Sequence, residues 1–149
     1  MIYWKYFWVV VRHKWYVLLA GLDLKVPIIN LLFHDYDKFF PTNFITYANY
    51  IVDHKNKEGF QRSWNYHQKR NKHHWNYWVL IDGYDDLKVL KIPNNDRLEL
   101  VSDWIAAGKV YGTPIKIWYE QNKEKILLHP DSRNEIEKDI RNFVNKNGT

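Results

Sequence analysis

The sequence predicts an all-α protein, a compact bundle of about seven helices, and three observations support that prediction. Apolar side chains recur at steps of three and four residues, the spacing of one helix face. In the first segment these are Trp4, Trp8, Val11, Trp15, Leu18 and Leu22. Prolines and capping residues stand where helices would begin. The alternating pattern of a half-buried strand is hard to find anywhere in the chain.

Three helices are predicted in the first part of the chain. The first runs from about Ile2 to Ala20, because Gly21 and Asp23 offer an end, and its apolar composition favours a buried helix. The second begins at Pro27 and carries the stretch LLFHDYDKFF. It ends before Pro41, since proline disfavours a helical residue ahead of it. The third is capped by Thr42 and ends near Asp53.

Four more helices follow. A long fourth helix, with an interruption as the alternative, is predicted from Glu58 to about Ile81, and a loop from Gly83 to Pro93. The fifth contains RLELVSDWIAAGKV, the sixth PIKIWYEQNK, and the seventh runs through Ile136, Ile140 and Phe143. Their predicted caps are Asn94, Asn95 or Asp96, then Thr113 with Pro114, then Asp131 or Ser132. No linker or repeat divides the segments, so we expect one domain over residues 1–149.

Composition limits the chemistry. Cysteine is absent, which excludes disulfides and thiolate ligands and favours a reducing, cytoplasmic location. The net charge of +5 would attract phosphorylated compounds or nucleic acid. Charged residues interrupt the apolar N-terminal run, so we expect no membrane association. The eight Trp and eleven Tyr residues fit core packing better than base stacking, and homo-oligomers formed through exposed aromatic side chains would be unsurprising.

Several ionisable residues fall in segments predicted to be buried. His13 lies on an apolar stripe of the first helix, where an imidazole bonded to a carbonyl is the ordinary interpretation. In HDYDK, residues 34–38, an ion pair between Lys38 and Asp35 or Asp37 is the ordinary interpretation. The alternative is that His34 and Asp35 hold one ion at a helix end. Asp37 has no role in that alternative and is expected at the surface.

Two later segments add to this set. His67, Asn71 and His74 share one face of the predicted fourth helix, and His73 would join them only if the helix breaks nearby. A solvated basic face is the alternative for this region. Glu99 and Asp103 lie one turn apart among apolar neighbours, where two carboxylates favour a bound cation.

The order of these residues resembles the metal-site pattern of the HD-domain phosphohydrolase superfamily, an all-helical fold. That pattern has a first histidine, a His-Asp doublet and a distant aspartate, here His13, His34 with Asp35, and Asp103. Segments such as HDYDKFFP, WNYHQKRNKHHW and ELVSDWIAAGK also resemble a family of small uncharacterised proteins of bacteria and their phages. The glycine-containing signatures of cyclic-dinucleotide phosphodiesterases are absent, so that substrate is not implied.

The resemblance implies one or two divalent ions among Mn, Fe, Co, Ni and Zn. The implied ligands are His13, His34, Asp35 and Asp103 for a first ion, and His67 and His74, with His73 as a candidate, for a second. Asp35, Lys38 and Glu99 are the catalytic candidates, with Glu99 either an acceptor behind the ligands or a proton carrier. The candidates for substrate binding are Arg12, Lys14, Lys38, Arg70, Asn71 and Lys72, and Trp64, Tyr66 and Trp75 are candidates for stacking on a base.

Three functions are therefore carried forward. The first is a metal-dependent phosphohydrolase acting on a nucleotide or related small phosphoester. The second is a metal-dependent nuclease acting on DNA or RNA. The third is a non-catalytic binding module whose metal site is structural.

Overall fold

A computed structural model describes residues 1–81 and 87–148. Over these ranges the protein is an all-α bundle, which confirms the predicted fold class. The helices are α1 Ile2–Asp23, α2 Ile28–Phe33, α3 Pro41–Asp53, α4 Lys57–Arg70, α5 Asn94–Tyr111, α6 Ile115–Asn122 and α7 Pro130–Asn147. Short 3₁₀ turns cover Tyr36–Phe39, Trp75–Trp78 and Lys123–Lys125.

A very short antiparallel strand pair accompanies the helices in the described ranges. Strand β1, Val79–Leu80, pairs antiparallel with β2, Lys88–Val89, and Val79 faces Val89. Two residues are too few to show an alternating pattern, which explains why no strand was predicted. Part of the predicted loop from Gly83 to Pro93 lies outside the described residues.

Helices α1 and α5 pack along each other and form the centre of the bundle, with α3 on α1 and α7 on α5. The inward stripe of α1 consists of Tyr6, Val10, His13, Val17 and Ala20. The stripe identified in the sequence points the other way, and Trp4, Trp8 and Trp15 are largely exposed. The expectation of a wholly buried helix is therefore wrong. Two apolar stripes with the same spacing run along α1, and periodicity does not show which one faces the core.

The C-terminal ends of α1 and α2 differ from prediction. Helix α1 continues through Gly21 to Asp23. The glycine leaves room for Leu31 of α2, since a side chain at position 21 would collide with it. Helix α2 ends at Phe33 instead of continuing to Pro41. His34 has extended backbone angles, and Asp35 has the left-handed φ of 55°. Aspartate tolerates this conformation better than most residues, so the chain can turn sharply there.

The fourth helix is also shorter than the uninterrupted prediction. Helix α4 ends at Arg70, and Asn71 leaves it with extended backbone angles. The side-chain amide of Asn71 donates to the His67 carbonyl at 2.9 Å, which satisfies one of the last carbonyls of the helix. His73 and His74 consequently lie in the turn after α4, the interruption that the sequence left as an alternative.

No helix within the described ranges is both long enough and apolar enough to cross a membrane.

Candidate metal centre

Seven polar side chains from distant parts of the chain meet between α1, α4 and α5. Helix α1 supplies one, the turn after α2 two, α4 and its following turn three, and α5 one. They are His13, His34, Asp35, His67, His73, His74 and Asp103, and none is more than 9% exposed. Buried ionisable groups at this density require partners of opposite charge.

The first group consists of His13, His34, Asp35 and Asp103. Asp103 Oδ1 lies 2.9 Å from His13 Nε2 and 3.5 Å from His34 Nε2. Asp35 Oδ2 lies 3.5 Å and 3.4 Å from the same two nitrogens. Ligand atoms about 2.1 Å from one ion lie roughly 3.0 to 3.5 Å apart at octahedral and tetrahedral angles. The spacing of these four atoms therefore fits one metal ion.

The second group consists of Asp35, His67, His73 and His74. Asp35 Oδ1 lies 3.2 Å from His67 Nε2 and 3.3 Å from His73 Nε2. The Nε2 atoms of His67 and His74 are 2.8 Å apart. These distances fit a second ion with nitrogen and oxygen ligands.

Asp35 belongs to both groups. Its Oδ2 faces the first group and its Oδ1 faces the second, so one carboxylate can bridge two ions. The left-handed backbone at Asp35 turns the chain between His34 and the 3₁₀ segment. This turn explains how neighbouring residues, which diverge by about 100° on a regular helix, reach the same centre.

Four atoms of the centre are buried without a hydrogen-bond partner. They are Nε2 of His13, His34 and His73, and Oδ1 of Asp35. Buried polar atoms without a partner are rare, and a bound ion is one of their recognised explanations. The buried histidines and aspartates could therefore hold a metal ion.

Glu99 contacts two of the candidate ligands, His34 and His73, at the ring nitrogen that faces away from the centre. Its Oε1 lies 2.9 Å from His34 Nδ1 and 3.2 Å from His73 Nδ1, while Asn30 donates to its Oε2 at 3.0 Å. With Nδ1 of each ring bonded to the carboxylate, Nε2 is left to face the centre. Of the two roles predicted for Glu99, this geometry fits the acceptor. Burial alone would raise the pKa of Glu99, but the two histidines lower it to about 2.

Asp37 performs the same task for the second group. It was expected at the surface, and that expectation is wrong: Asp37 is fully buried. Both of its oxygens lie 3.0 Å from His67 Nδ1, and the Asn71 amide donates to them at 3.3 Å. Asn71, predicted to bind substrate, thus contacts Asp37 and the Nδ1 side of the candidate ligand His67. No local pattern in the sequence links Asp37 to a histidine on another helix.

Burial and charge oppose each other at the centre. Burial alone would raise the pKa of Asp35, but the charges of His34, Lys38 and His67 hold it well below its ordinary value. Burial alone would lower the pKa of His13, but Asp103 and Asp35 outweigh it and raise that pKa. The pKa values of His34, His67 and His73 are also raised by neighbouring carboxylates.

His74 differs from the other histidines. Burial and the charge of His73 hold the pKa of His74 well below 6.5, so its imidazole is neutral. A neutral imidazole is the form that binds a metal ion.

A cavity of about 280 Å³ adjoins the first group. His13, His74, Asp103 and Lys38 line one side of it. The other sides are lined mainly by aromatic residues of α1, α3, α4 and α5, namely Tyr6, Tyr47, Phe60, Trp64 and Tyr111. Of the three predicted stacking candidates, Trp64 lies here, whereas Tyr66 is 67% exposed and Trp75 packs against another part of the core.

A family model described as a family of unknown function, DUF5662, matches residues 2–146. The chain belongs to this family. No curated protein and no solved structure matches the chain. The DUF5662 match spans every residue of the candidate centre and carries no activity with it.

The predicted cationic substrate ligands of the DUF5662 chain lie in different places. Lys38 lines the cavity, and its ammonium is 2.5 Å from Asp35 Oδ2. Lys14 donates to the carbonyls of Leu32 and His34, at the end of α2. Arg12, Arg70 and Lys72 are exposed and are not among the described residues that line the cavity.

Proposed function

We propose that the protein is a metal-dependent phosphoester hydrolase with an HD-type centre, acting on a nucleotide or related small phosphoester. One observation carries the proposal: Asp35 lies between two groups of nitrogen and oxygen ligands, and these groups adjoin a cavity that also holds a lysine. Paired ions that share a carboxylate are a common arrangement for attack by water on phosphorus.

The types of ligand limit which metal ions could bind. Imidazole and carboxylate without thiolate suit Mn²⁺, Fe, Co²⁺, Ni²⁺ or Zn²⁺. When bound, such ions lower the pKa of a water molecule and polarise a phosphoryl oxygen.

The side chains around the centre have separate tasks under this proposal. Glu99 fixes His34 and His73, and Asp37 fixes His67, so that their Nε2 atoms keep one orientation. The Lys38 ammonium, placed between Asp35 and the cavity, binds a phosphoryl oxygen of the substrate. Burial alone would lower the pKa of Lys38, but the carboxylate of Asp35 raises it, so this side chain stays charged.

The test combines metal analysis with a substrate screen. Purified protein is assayed by elemental mass spectrometry, stripped with a chelator, and reloaded with each candidate ion. Phosphate release from nucleotides and sugar phosphates is then measured. We expect transition metal in the purified protein and metal-dependent release. Absence of metal binding and of release with every ion would refute the proposal.

A matched histidine substitution sharpens the test. His67→Asn removes a candidate ligand, whereas His54→Asn changes an exposed histidine whose left-handed backbone asparagine also tolerates. Activity should disappear in the first variant and persist in the second.

A structural metal site is the second candidate, favoured by the burial of all seven ligands. Under this function His67→Asn should unfold the protein, and no phosphoester should be cleaved. Under the proposed function circular dichroism should show a folded, inactive variant.

A further inference from the structure

The lining of the cavity beside the centre is of two chemical kinds. Candidate metal ligands and Lys38 supply its ionisable part, and five aromatic residues supply most of the rest. A ligand that fills it must therefore carry both an anionic group and a flat, largely apolar group. The identification of the anionic group as a phosphoryl group rests on the proposed function.

Four of the five rings, those of Tyr6, Tyr47, Phe60 and Trp64, form a connected wall. Tyr6 and Tyr47 are stacked with centroids 6.2 Å apart, and Phe60 meets Tyr47 edge to face at 5.3 Å. Trp64 lies parallel to Phe60 at 6.3 Å. Rings that already support one another keep their orientation, so they can receive a planar group at little cost in side-chain entropy.

One polar atom in this wall has no partner. Tyr47 is 2% exposed and its hydroxyl makes no hydrogen bond in the described structure, although the residue lines the cavity. A buried phenol without a partner costs free energy that a ligand can recover by supplying a hydrogen-bonding atom. The planar group should therefore carry a polar atom, as heteroaromatic bases do.

Size and charge limit the rest of the ligand. The volume of about 280 Å³ lies just below the range of roughly 300 to 1,000 Å³ that small-molecule sites span. Among the described lining residues, Lys38 is the one lysine or arginine. One phosphoryl group, carrying about two negative charges, matches the ions and this lysine. Further phosphoryl groups would face aromatic rings instead of cations.

We propose that the cavity selects a nucleoside monophosphate, with the phosphoryl group at the centre and the base among the aromatic rings. In the reaction, a water oxygen forms a bond to phosphorus as the bond from phosphorus to the ester oxygen breaks. The ester oxygen leaves with a proton as the nucleoside hydroxyl, and the other product is inorganic phosphate.

Binding and hydrolysis are measured separately on the metal-loaded protein. Calorimetry with uridine monophosphate, uridine, ribose 5-phosphate and uridine triphosphate reports affinity, and a phosphate assay reports turnover. We expect the monophosphate to bind at least about tenfold more tightly than the other three compounds. Uridine lacks the phosphoryl group, ribose 5-phosphate lacks the base, and uridine triphosphate adds negative charge that no cation of the cavity matches.

The Tyr47 hydroxyl is tested with the smallest available change. Tyr47→Phe should weaken binding of uridine monophosphate about three- to tenfold, the value of one neutral hydrogen bond, and leave ribose 5-phosphate unaffected. Tyr66→Phe, on the exposed side of α4, is the matched control and should change neither.

The two proposals fail in different ways. If ribose 5-phosphate or uridine triphosphate binds and reacts as well as the monophosphate, the substrate inference is wrong and the hydrolase function stands. If the monophosphate binds with the expected pattern but no phosphate is released, the cavity inference is supported and the hydrolase function is wrong.

Discussion

At the scale of single residues, Asp35 has the most demanding position in the protein. It is fully buried, its backbone is left-handed, and its two oxygens face different groups of histidines. The other candidate ligands belong to one of these two groups only. Loss of the Asp35 charge should therefore affect both ions, whereas loss of any other ligand should affect mainly one.

Asp35→Asn is predicted to lose both ions and all activity. Asparagine keeps the shape of the side chain and tolerates the left-handed backbone, so the fold should survive. Metal content per chain, measured by elemental mass spectrometry after gel filtration, checks this outcome.

Substitutions confined to one group provide the comparison. His13→Asn should lose the first ion and keep the second, and His74→Asn should do the reverse. Equal losses in all three variants would show that Asp35 has no special role.

Protonation of the histidines competes with metal binding. The raised pKa values of His13, His34, His67 and His73 mean that their charged forms stabilise the metal-free protein. This contribution is complete below the unfolded pKa of about 6.5 and is lost as pH rises through the raised values. A metal ion requires the neutral imidazoles.

Metal affinity is therefore predicted to fall as pH decreases from 8 to 6, and binding near pH 7 should release protons. Calorimetry in buffers with different ionisation enthalpies counts the protons directly. A heat of binding that does not depend on the buffer would contradict the prediction. His74, which is already neutral, should add nothing to the count.

At the scale of elements, the site depends on where two helices stop. Helix α2 ends one residue before His34, and α4 ends before His73 and His74. Periodicity predicted both segments as helical because their apolar spacing continues past these ends. Long-range contacts accompany both ends: Lys14 of α1 donates to the carbonyls of Leu32 and His34, and Asn71, just beyond α4, donates to Asp37.

Lys14→Met is predicted to reduce the free energy of unfolding by about 1 to 2 kcal/mol, because the His34 carbonyl loses a charged donor. Urea denaturation measures this change. Lys5→Met, on the exposed side of the same helix, is the control and should have little effect.

Steady-state kinetics of Lys14→Met distinguish a role of Lys14 at the end of α2 from the substrate binding predicted for it. A helix-end role lowers stability with KM nearly unchanged in the folded fraction. A substrate-binding role would raise KM and leave stability unaltered.

At the scale of the whole molecule, the centre joins α1, the turn after α2, the end of α4 and α5. In the metal-free protein, four candidate ligand atoms of the centre are buried without a hydrogen-bond partner. Bound ions would give these atoms a partner and would connect the four segments.

Chelation is therefore predicted to lower the thermal midpoint. Free metal at a hundred times its Kd adds about 2.7 kcal/mol to stability, which corresponds to roughly 5 to 10 °C for a chain of this length. Differential scanning calorimetry with and without chelator measures the shift, and re-addition of the ion should reverse it. A midpoint that does not change on chelation would contradict the prediction.

The sequence predicted the helical class because prolines and apolar spacing are local signals. The same signals failed on α1, where two equally spaced stripes exist and the tryptophan stripe is exposed. The residues predicted as caps of α3, α5 and α7 are not their N-caps, which are Phe40, Pro93 and His129, and the N-cap of α6 is Pro114 instead of Thr113. Chain order, through the resemblance to the HD-domain pattern, indicated the candidate ligand residues, but nothing local assigned Asp37 to His67 or Tyr47 to the cavity. Those assignments depend on how helices cross, and periodicity does not contain that information.

The sharing of one centre by α1 and α5 also affects how the protein is made. His13 is near the start of the chain and Asp103 follows most of it, so the first group is incomplete until α5 has been synthesised and docked. Contacts between such distant segments form late, because closing a long loop costs entropy. Metal uptake should therefore be a late event in maturation. A cell short of the metal would then accumulate chains that have folded but have not matured.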